Sequence, residues 1–210
     1  MKRITCLLLI FLCLIIFSGQ TFSKDSYWGV GYTIEQDLHG YVGTVQFHND
    51  PTSSKFAFNA INNRVEVTNV NITNNSVDTI RLFSGTLEEV ENSDGFVLIE
   101  GKSYGLEFSS QDPIDLGSAN FQWGYFTGVK LYDWDAIVRG DEFTGKHWVI
   151  PGGVDFSISP KMRGAYFALG VKLSMAFGMM NMDNVTTGES YGKITFGYEY
   201  QYYATIAVKI

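Results

Sequence analysis

The histidines are the first residues to consider for chemistry, because imidazole serves as a general base and as the commonest metal ligand. The chain contains three of them, His39, His48 and His147. No two stand two or four positions apart, as paired ligands on one element do. We therefore expect all three in loops, or at a membrane interface if the chain crosses one, and we expect no metal site.

The densest group of ionisable side chains lies between residues 133 and 147. Its members are Asp133, Asp135, Asp141, Glu142 and His147, with the basic Arg139 and Lys146. A carboxylate and an imidazole could form an acid–base pair for hydrolysis, and several carboxylates could hold a cation. The spacing fits no ligand set, and charges of both signs are mixed, as in a solvated loop. We therefore predict a long polar connection here, without catalytic residues, cofactor or metal.

Other catalytic signatures are missing from the sequence. It contains no Gly-x-Ser-x-Gly elbow and no phosphate-binding glycine loop. The run Glu88, Glu89, Glu91 and Asp94 is most simply an exposed acidic turn.

The N-terminus has the pattern of an export signal. Lys2 and Arg3 precede an apolar run from Ile4 to Phe17, which is short of the roughly 20 residues that a spanning helix needs. We predict a signal peptide over residues 1–23 and a single mature domain over residues 24–210. Both cysteines, Cys6 and Cys13, fall in the predicted signal peptide, so thiol chemistry and thiolate metal sites are excluded from the mature domain.

Composition narrows the class of protein further. Without Lys2 and Arg3, 13 basic residues face 22 acidic ones, a formal charge of −9, which argues against nucleic acid as a partner. The chain has 12 Tyr, 16 Phe and only 4 Pro, and such a composition favours strands.

Apolar residues alternate with polar or small ones along the last third of the chain. A period of two over this length indicates β-strands with two distinct faces. Residues 163–180 and 191–210 each exceed the roughly 9–11 residues that a strand needs to cross a bilayer. We predict that one face contacts lipid, through Phe167, Leu169, Val171, Leu173, Met175, Ala204, Ile206, Val208 and Ile210.

The second face distinguishes a membrane barrel from a soluble one. Over residues 166–178 it consists mostly of Gly, Ala, Ser and Tyr, which suit a narrow, filled lumen better than an aqueous surface. Residues 160–163 read as a tight turn, whereas 133–147 and 180–190 read as long connections. We predict an all-β, antiparallel up-and-down transmembrane β-barrel of 8–10 strands.

Taken together, residues 119–210 and 27–48 resemble the small outer-membrane β-barrel proteins of Gram-negative bacteria. The resemblance implies an exported protein of the cell outer membrane. It also implies outer-membrane lipid, lipopolysaccharide and the barrel-assembly machinery as partners. Those proteins usually end in an aromatic residue, whereas this chain ends in Ile210. The His-x-Ser triplet of the outer-membrane lipid A deacylases does not occur. The oligomeric state is left open.

Residues 52–115 give a weaker pattern. Short strands are predicted at 55–61, 64–72, 77–84, 95–99 and 103–108. Glu100 and Lys102 would share a face with apolar residues in one continuous strand, so Glu100-Gly101-Lys102 is predicted to be a bend or turn.

The most specific prediction concerns Lys172 and Glu199. If Asn181 lies opposite Ser190, these two charges lie directly opposite each other on the lumen face, where an unpaired charge is costly.

Three functions fit the sequence. The first is a non-enzymatic outer-membrane barrel with a structural, adhesive or narrow-channel role and a filled lumen. The second is a soluble, lipocalin-like barrel that binds an apolar ligand with its apolar face turned inward. The third is a membrane-embedded lipid or peptide hydrolase using residues of 133–147.

Overall fold

A computed structural model describes residues 25–41, 57–73, 75–89, 96–138 and 140–209. The predicted signal peptide, His48 and Ile210 lie outside these residues. Every regular element in the described ranges is a β-strand. No helix there is long and apolar enough to cross a membrane.

The described residues form eight strands that pair in chain order. They are β1 (Asp25–Tyr41), β2 (Ala57–Ile72), β3 (Val77–Glu89), β4 (Phe96–Asp115), β5 (Ala119–Val138), β6 (Asp141–Pro160), β7 (Ala165–Asn184) and β8 (Ser190–Lys209). Each strand pairs antiparallel with the next, and β1 also pairs with β8. The closed barrel leaves no free edge strand and confirms the predicted fold class.

The register fixes the tilt of the strands. A row of paired residues that starts at Tyr27 on β1 passes through every strand and returns to β1 at Asp37, ten positions further along. A stagger of this size in a ring of eight strands corresponds to a tilt of about 40°. The interior of such a ring is just wide enough for side chains to fill.

The period-two pattern identifies the faces of the strands correctly. On β5, Trp123, Tyr125 and Val129 are exposed on the outer face, while Gln122 and Lys130 are buried inside. The same division holds on β1, β6, β7 and β8. Apolar side chains cover the outer face because they recur at every second position of these strands.

The predicted long connection at 133–147 is wrong. Strand β5 continues to Val138 and β6 begins at Asp141, and Gly140 just before β6 has a φ of 94°, a conformation that glycine adopts without strain. The connection after β7 is likewise shorter than predicted and comprises 185–189. In both places the strands continue beyond the end of the apolar outer face.

The prediction for 52–115 is wrong in its division into short strands. Three long strands occupy this region, and β4 runs through the predicted turn at Glu100-Gly101-Lys102. A register shift between Leu98 and Glu100 interrupts the pairing of β4 with β5. This bulge exchanges the faces: Leu98 points inward before it, and Lys102 points outward after it.

Gly105 offers a test of the packing inside the ring. A Cβ atom at this position would lie 2.3 Å from the Phe83 ring and 2.5 Å from the Val129 carbonyl oxygen, whereas one at Gly152 would meet no atom within 4 Å. We expect Gly105→Val to lower the free energy of unfolding by about 1–3 kcal/mol, because overpacking forces the backbone to shift. Gly152→Val should change it by less than about 0.5 kcal/mol. Urea unfolding of the detergent-refolded barrel measures both, and equal losses would contradict this packing.

The barrel interior as the candidate functional site

Nine charged side chains inside the ring are at most 1% exposed. The carboxylates are Glu35, Glu66, Glu107, Asp155 and Glu199, and the cations are Arg64, Arg81, Lys130 and Lys172. They come from all eight strands, each from a position that faces inward. With Lys193, a further inward cation that is 6% exposed, the lumen holds five acids and five bases and is electrically balanced.

Arg64 on β2 is the centre of this network. Its guanidinium nitrogens lie 3.1 Å from Glu35, 3.0 Å from Glu66 and 2.9 Å from Glu107. A fourth bond runs from Arg64 to the Gln201 side-chain oxygen at 3.2 Å. A planar guanidinium can donate hydrogen bonds to several carboxylates at once, because its five N–H donors point in fixed directions.

Two lysines extend the network across the lumen. Lys130 on β5 donates to Glu35 and, at 2.6 Å, to Glu199. Lys172 on β7 donates to Glu107 at 2.5 Å. Each of these carboxylates therefore contacts a cation from another strand, and the contacts cross the barrel as well as following its wall.

The predicted direct pairing of Lys172 with Glu199 is wrong. The observed register differs from the predicted one by two residues, which leaves both side chains on the lumen face. Lys172 pairs with Gln201, and Glu199 pairs with Ser174. Both charges are buried in the interior, as the alternation predicted. Their ion-pair partners are Glu107 for Lys172 and Lys130 for Glu199. These partners lie on distant parts of the chain that the pattern of two adjacent strands cannot reveal.

Arg81 carries the network towards the end at which β2 turns into β3. Its nitrogens lie 3.6 Å from Glu66 and 3.9 Å from Asp155. The Tyr203 hydroxyl donates to Asp155 at 2.8 Å, and the Arg81 guanidinium lies over the Tyr203 ring at 4.7 Å. The Tyr203 ring therefore contacts the face of the Arg81 guanidinium by a cation–π interaction, in addition to the ion pairs at its edge.

Apolar layers lie on either side of the charged layer. Along β2 the inward residues pass from the apolar Ala60, through the charged Arg64 and Glu66, to the apolar Val70. The layer at the end where β5 turns into β6, here called the upper plug, comprises Ala60, Leu87, Leu98, Tyr132, Trp134, Ala136, Phe143, Val149, Ala176, Met180, Met182 and Tyr191. The layer at the other end, the lower plug, comprises Tyr27, Val70, Val77, Tyr166, Ala168, Tyr203 and Ala207. The plugs shield the ion pairs from water at both ends.

The predicted lipid-facing residues lie on the outside of the ring. Leu169, Leu173, Met175, Ile206 and Val208 are exposed there. Phe167, Val171 and Ala204 are half-buried on the same face.

The outer face changes character at one level around β5, β6 and β7. The paired row Leu131, Trp148 and Met179 is apolar. Two residues further towards the end where β5 turns into β6, the paired row is Asp133, Lys146 and Asn181. The inner face changes in the opposite sense, because Tyr132, Trp134, Met180 and Met182 are buried beyond that level. Beyond the row of Leu131, Trp148 and Met179, apolar side chains lie inside the barrel and charged side chains lie outside, as in a soluble protein.

The hydrolytic candidates do not converge. Asp133 and Asp135 lie on the outer face of β5, whereas His147 lies inside the ring, 2.7 Å from the Thr195 hydroxyl. Partial burial, with Glu100 and Asp133 nearby, raises the pKa of Asp135. Among the described residues no group of three or more His, Cys, Asp or Glu side chains could hold a metal ion. His39 belongs to β1 rather than to a loop.

Sequence reasoning identified two of the nine lumen charges and missed seven. The available signal was a charged residue with apolar neighbours on both sides within a strand. Examples are Val65-Glu66-Val67, Ile80-Arg81-Leu82 and Val129-Lys130-Leu131. Such a triplet on an outward-apolar strand directs the charge into the lumen.

Two solved structures of bacterial proteins have the same fold. Neisserial surface protein A, from Neisseria, matches with a TM-score of 0.50 and 12% identity, over 87% of this chain and 97% of that one. The outer membrane protein OprG from Pseudomonas aeruginosa matches with a TM-score of 0.54 and 12% identity, over 90% of this chain and 97% of that one. No protein-family model matches the sequence, and neither does any curated protein. The likeness confirms the barrel fold that the sequence predicted.

Arg64 tests whether the ion pairs hold the interior together. We expect Arg64→Met to lower the free energy of unfolding by roughly 3–5 kcal/mol, because Glu35, Glu66 and Glu107 lose their shared cation in a dry interior. Lys161→Met breaks only the exposed pair with Asp115 and should have little effect. Adding Glu66→Gln to Arg64→Met should restore part of the loss, because it neutralises one carboxylate that has lost Arg64, while Arg81 keeps its contact with Asp155. Urea midpoints of the four proteins give the comparison, and similar shifts for the two single variants would disprove the role of Arg64.

Proposed function

We propose that this chain is an integral outer-membrane β-barrel, exported by its N-terminal signal and acting through its exterior rather than by conduction. The observation that carries the proposal is the level at which the outer face changes from apolar to charged. In a soluble barrel the whole outer face contacts water, so an outer face that is apolar up to one level and charged beyond it would be unfavourable. A hydrocarbon layer that ends at that level accounts for both.

The height of the apolar outer face supports this location. On β7 it runs without interruption from Phe167 to Met179. Twelve residue steps of about 3.3 Å at a tilt of about 40° correspond to roughly 30 Å, the thickness of the hydrocarbon core of a bilayer. The beginning of this stretch lies beside the short turn 161–164, the kind of turn found on the periplasmic side of such barrels.

The structure argues against the other two functions. A lipocalin-like barrel needs an apolar interior, but here charged side chains fill the centre of the lumen and apolar residues such as Leu173 face outward. A hydrolase using 133–147 needs its acid and its base on one face, but Asp133 and His147 lie on opposite faces of the sheet.

We base a structural or adhesive role on the end of the barrel at which β5 turns into β6. Strands β5 to β8 extend beyond the apolar face, so that this end stands above the membrane surface as a charged rim, whose outward residues include Asp133, Lys146 and Asp183. Strand β1 ends and strand β2 begins at the same end. We propose that lipid and lipopolysaccharide surround the barrel, that the barrel-assembly machinery inserts it, and that binding partners contact this rim.

An arginine at two depths on β7 tests the membrane location. Leu173 and Asn181 both point outward, one at the middle of the apolar face and the other beyond its end. We expect Leu173→Arg to cost about 2–4 kcal/mol of membrane stability and Asn181→Arg about 0–1 kcal/mol.

The measurement is the fraction of chain recovered in outer membranes as a heat-modifiable band on a denaturing gel. We expect the wild type and Asn181→Arg in that fraction and a marked loss of Leu173→Arg. Recovery of the mature wild type in the soluble periplasm without detergent would overturn the proposal, as would equal tolerance of arginine at both positions.

A further inference from the structure

Polar side chains interrupt the apolar outer face on one side of the barrel. On four adjacent strands, β8, β1, β2 and β3, the outward residues include Tyr200, Gln36, Asn63 and Thr86. We call these four residues, together with Tyr32 and Tyr202, the polar face. On β7 the corresponding outward positions are apolar from Phe167 to Met179.

The register places the polar face near the middle of the apolar face. Leu173, the central residue of the β7 stretch, pairs with Tyr200, and Tyr200 pairs with Gln36. At a tilt of about 40°, each step to the next strand raises a row of paired residues by about 3 Å. Gln36 therefore lies only about 6 Å above the middle, well inside a hydrocarbon layer of roughly 30 Å.

Apart from one bond, between Tyr32 and Asn63, the side chains of the polar face make no hydrogen bond with the described residues, whereas other outward polar groups do. Elsewhere the Thr127 hydroxyl donates to the Pro151 carbonyl oxygen at 2.9 Å, and Ser110 donates to Asp78 at 2.6 Å. On the polar face, Tyr32 donates to the Asn63 side-chain oxygen at 3.1 Å. The Gln36 carboxamide makes no hydrogen bond with the described residues. An amide without a partner in hydrocarbon costs several kcal/mol.

We propose that the polar face binds a second copy of this chain within the membrane. This inference rests on the proposed membrane location. Acyl chains carry no hydrogen-bonding groups, so only another protein surface at this depth can satisfy the amides. Side-chain amides and tyrosine hydroxyls donate and accept alike, so the face is complementary to itself about a twofold axis.

The shape of the surface beside these groups supports a second copy. Tyr202 is 62% exposed and projects beside a groove of about 520 Å³. The small outward side chain of Ala204 leaves room for this groove, and Leu169 and Phe156 line its far side. In a twofold pair, Tyr202 of each copy faces the groove of the other, which combines hydrogen bonding with burial of aromatic surface.

Site-specific cross-linking tests the proposal. Cys6 and Cys13 lie in the predicted signal peptide, so an introduced cysteine is the sole thiol of the mature chain. Gln36→Cys places a thiol on the polar face. Val129→Cys on β5 places one on the opposite side of the ring, at an outward position that is 46% exposed. In native membranes treated with a short bis-maleimide, we expect Gln36→Cys to give a dimer severalfold more abundant than Val129→Cys gives.

A second comparison separates association from folding. The double variant Gln36→Leu, Asn63→Leu should keep its heat-modifiable band and its place in the membrane. Sedimentation in mild detergent should show its dimer weakened at least tenfold relative to the wild type. Equal cross-linking from both sides, an adduct with the mass of a different protein, or a monomeric wild type in the membrane would each overturn the dimer and leave the membrane location standing. A soluble wild-type chain would overturn both.

Discussion

Ionised side chains that cannot reach water must neutralise one another, and this requirement governs the interior of the barrel. Arg64 contacts three carboxylates, and Lys130 and Lys172 connect the same carboxylates to the far wall. A missing partner would leave an unpaired charge between two apolar layers, where solvation is poor. The network therefore couples strands that share no backbone hydrogen bonds, and the interior charges of the ring have to assemble together.

The size of the ring makes such a network feasible. Eight strands with a stagger of ten residues enclose a space that side chains can fill. Long side chains from opposite walls meet at its centre. The upper plug, which contains Tyr, Trp and Met, closes one end, and the lower plug of Tyr, Val and Ala closes the other. With the lumen filled in this way, the outer surface and the charged rim are the parts of the molecule that remain free to bind partners.

The sequence predicts the parts of the fold in which a single rule applies. On β7 and β8 apolar residues face outward at every second position, and the structure has the predicted faces. The prediction fails at 133–147 because the rule inverts within one strand: Val129 and Leu131 are apolar outside, whereas Tyr132 and Trp134 are apolar inside. In the proposed membrane location, such a strand passes from hydrocarbon into water, so its apolar residues change faces while its backbone geometry continues unchanged. The predicted register of β7 with β8 differs from the observed one by two residues. The register depends on the turn at 185–189, in which the Asn184 side-chain oxygen accepts hydrogen bonds from the backbone N–H groups of Thr186 and Thr187. The partners of Lys172 and Glu199 depend in turn on the closure of the ring, which no local pattern contains.

Conductance tests the filled, ion-paired lumen most directly. Purified wild-type protein should be inserted into planar bilayers from detergent, with heat-modifiable migration of the same sample as the check that it is folded. A lumen closed by the Arg64 network and by both plugs should show no large, stable current steps. Stable steps of porin size from the folded wild-type protein would contradict the account.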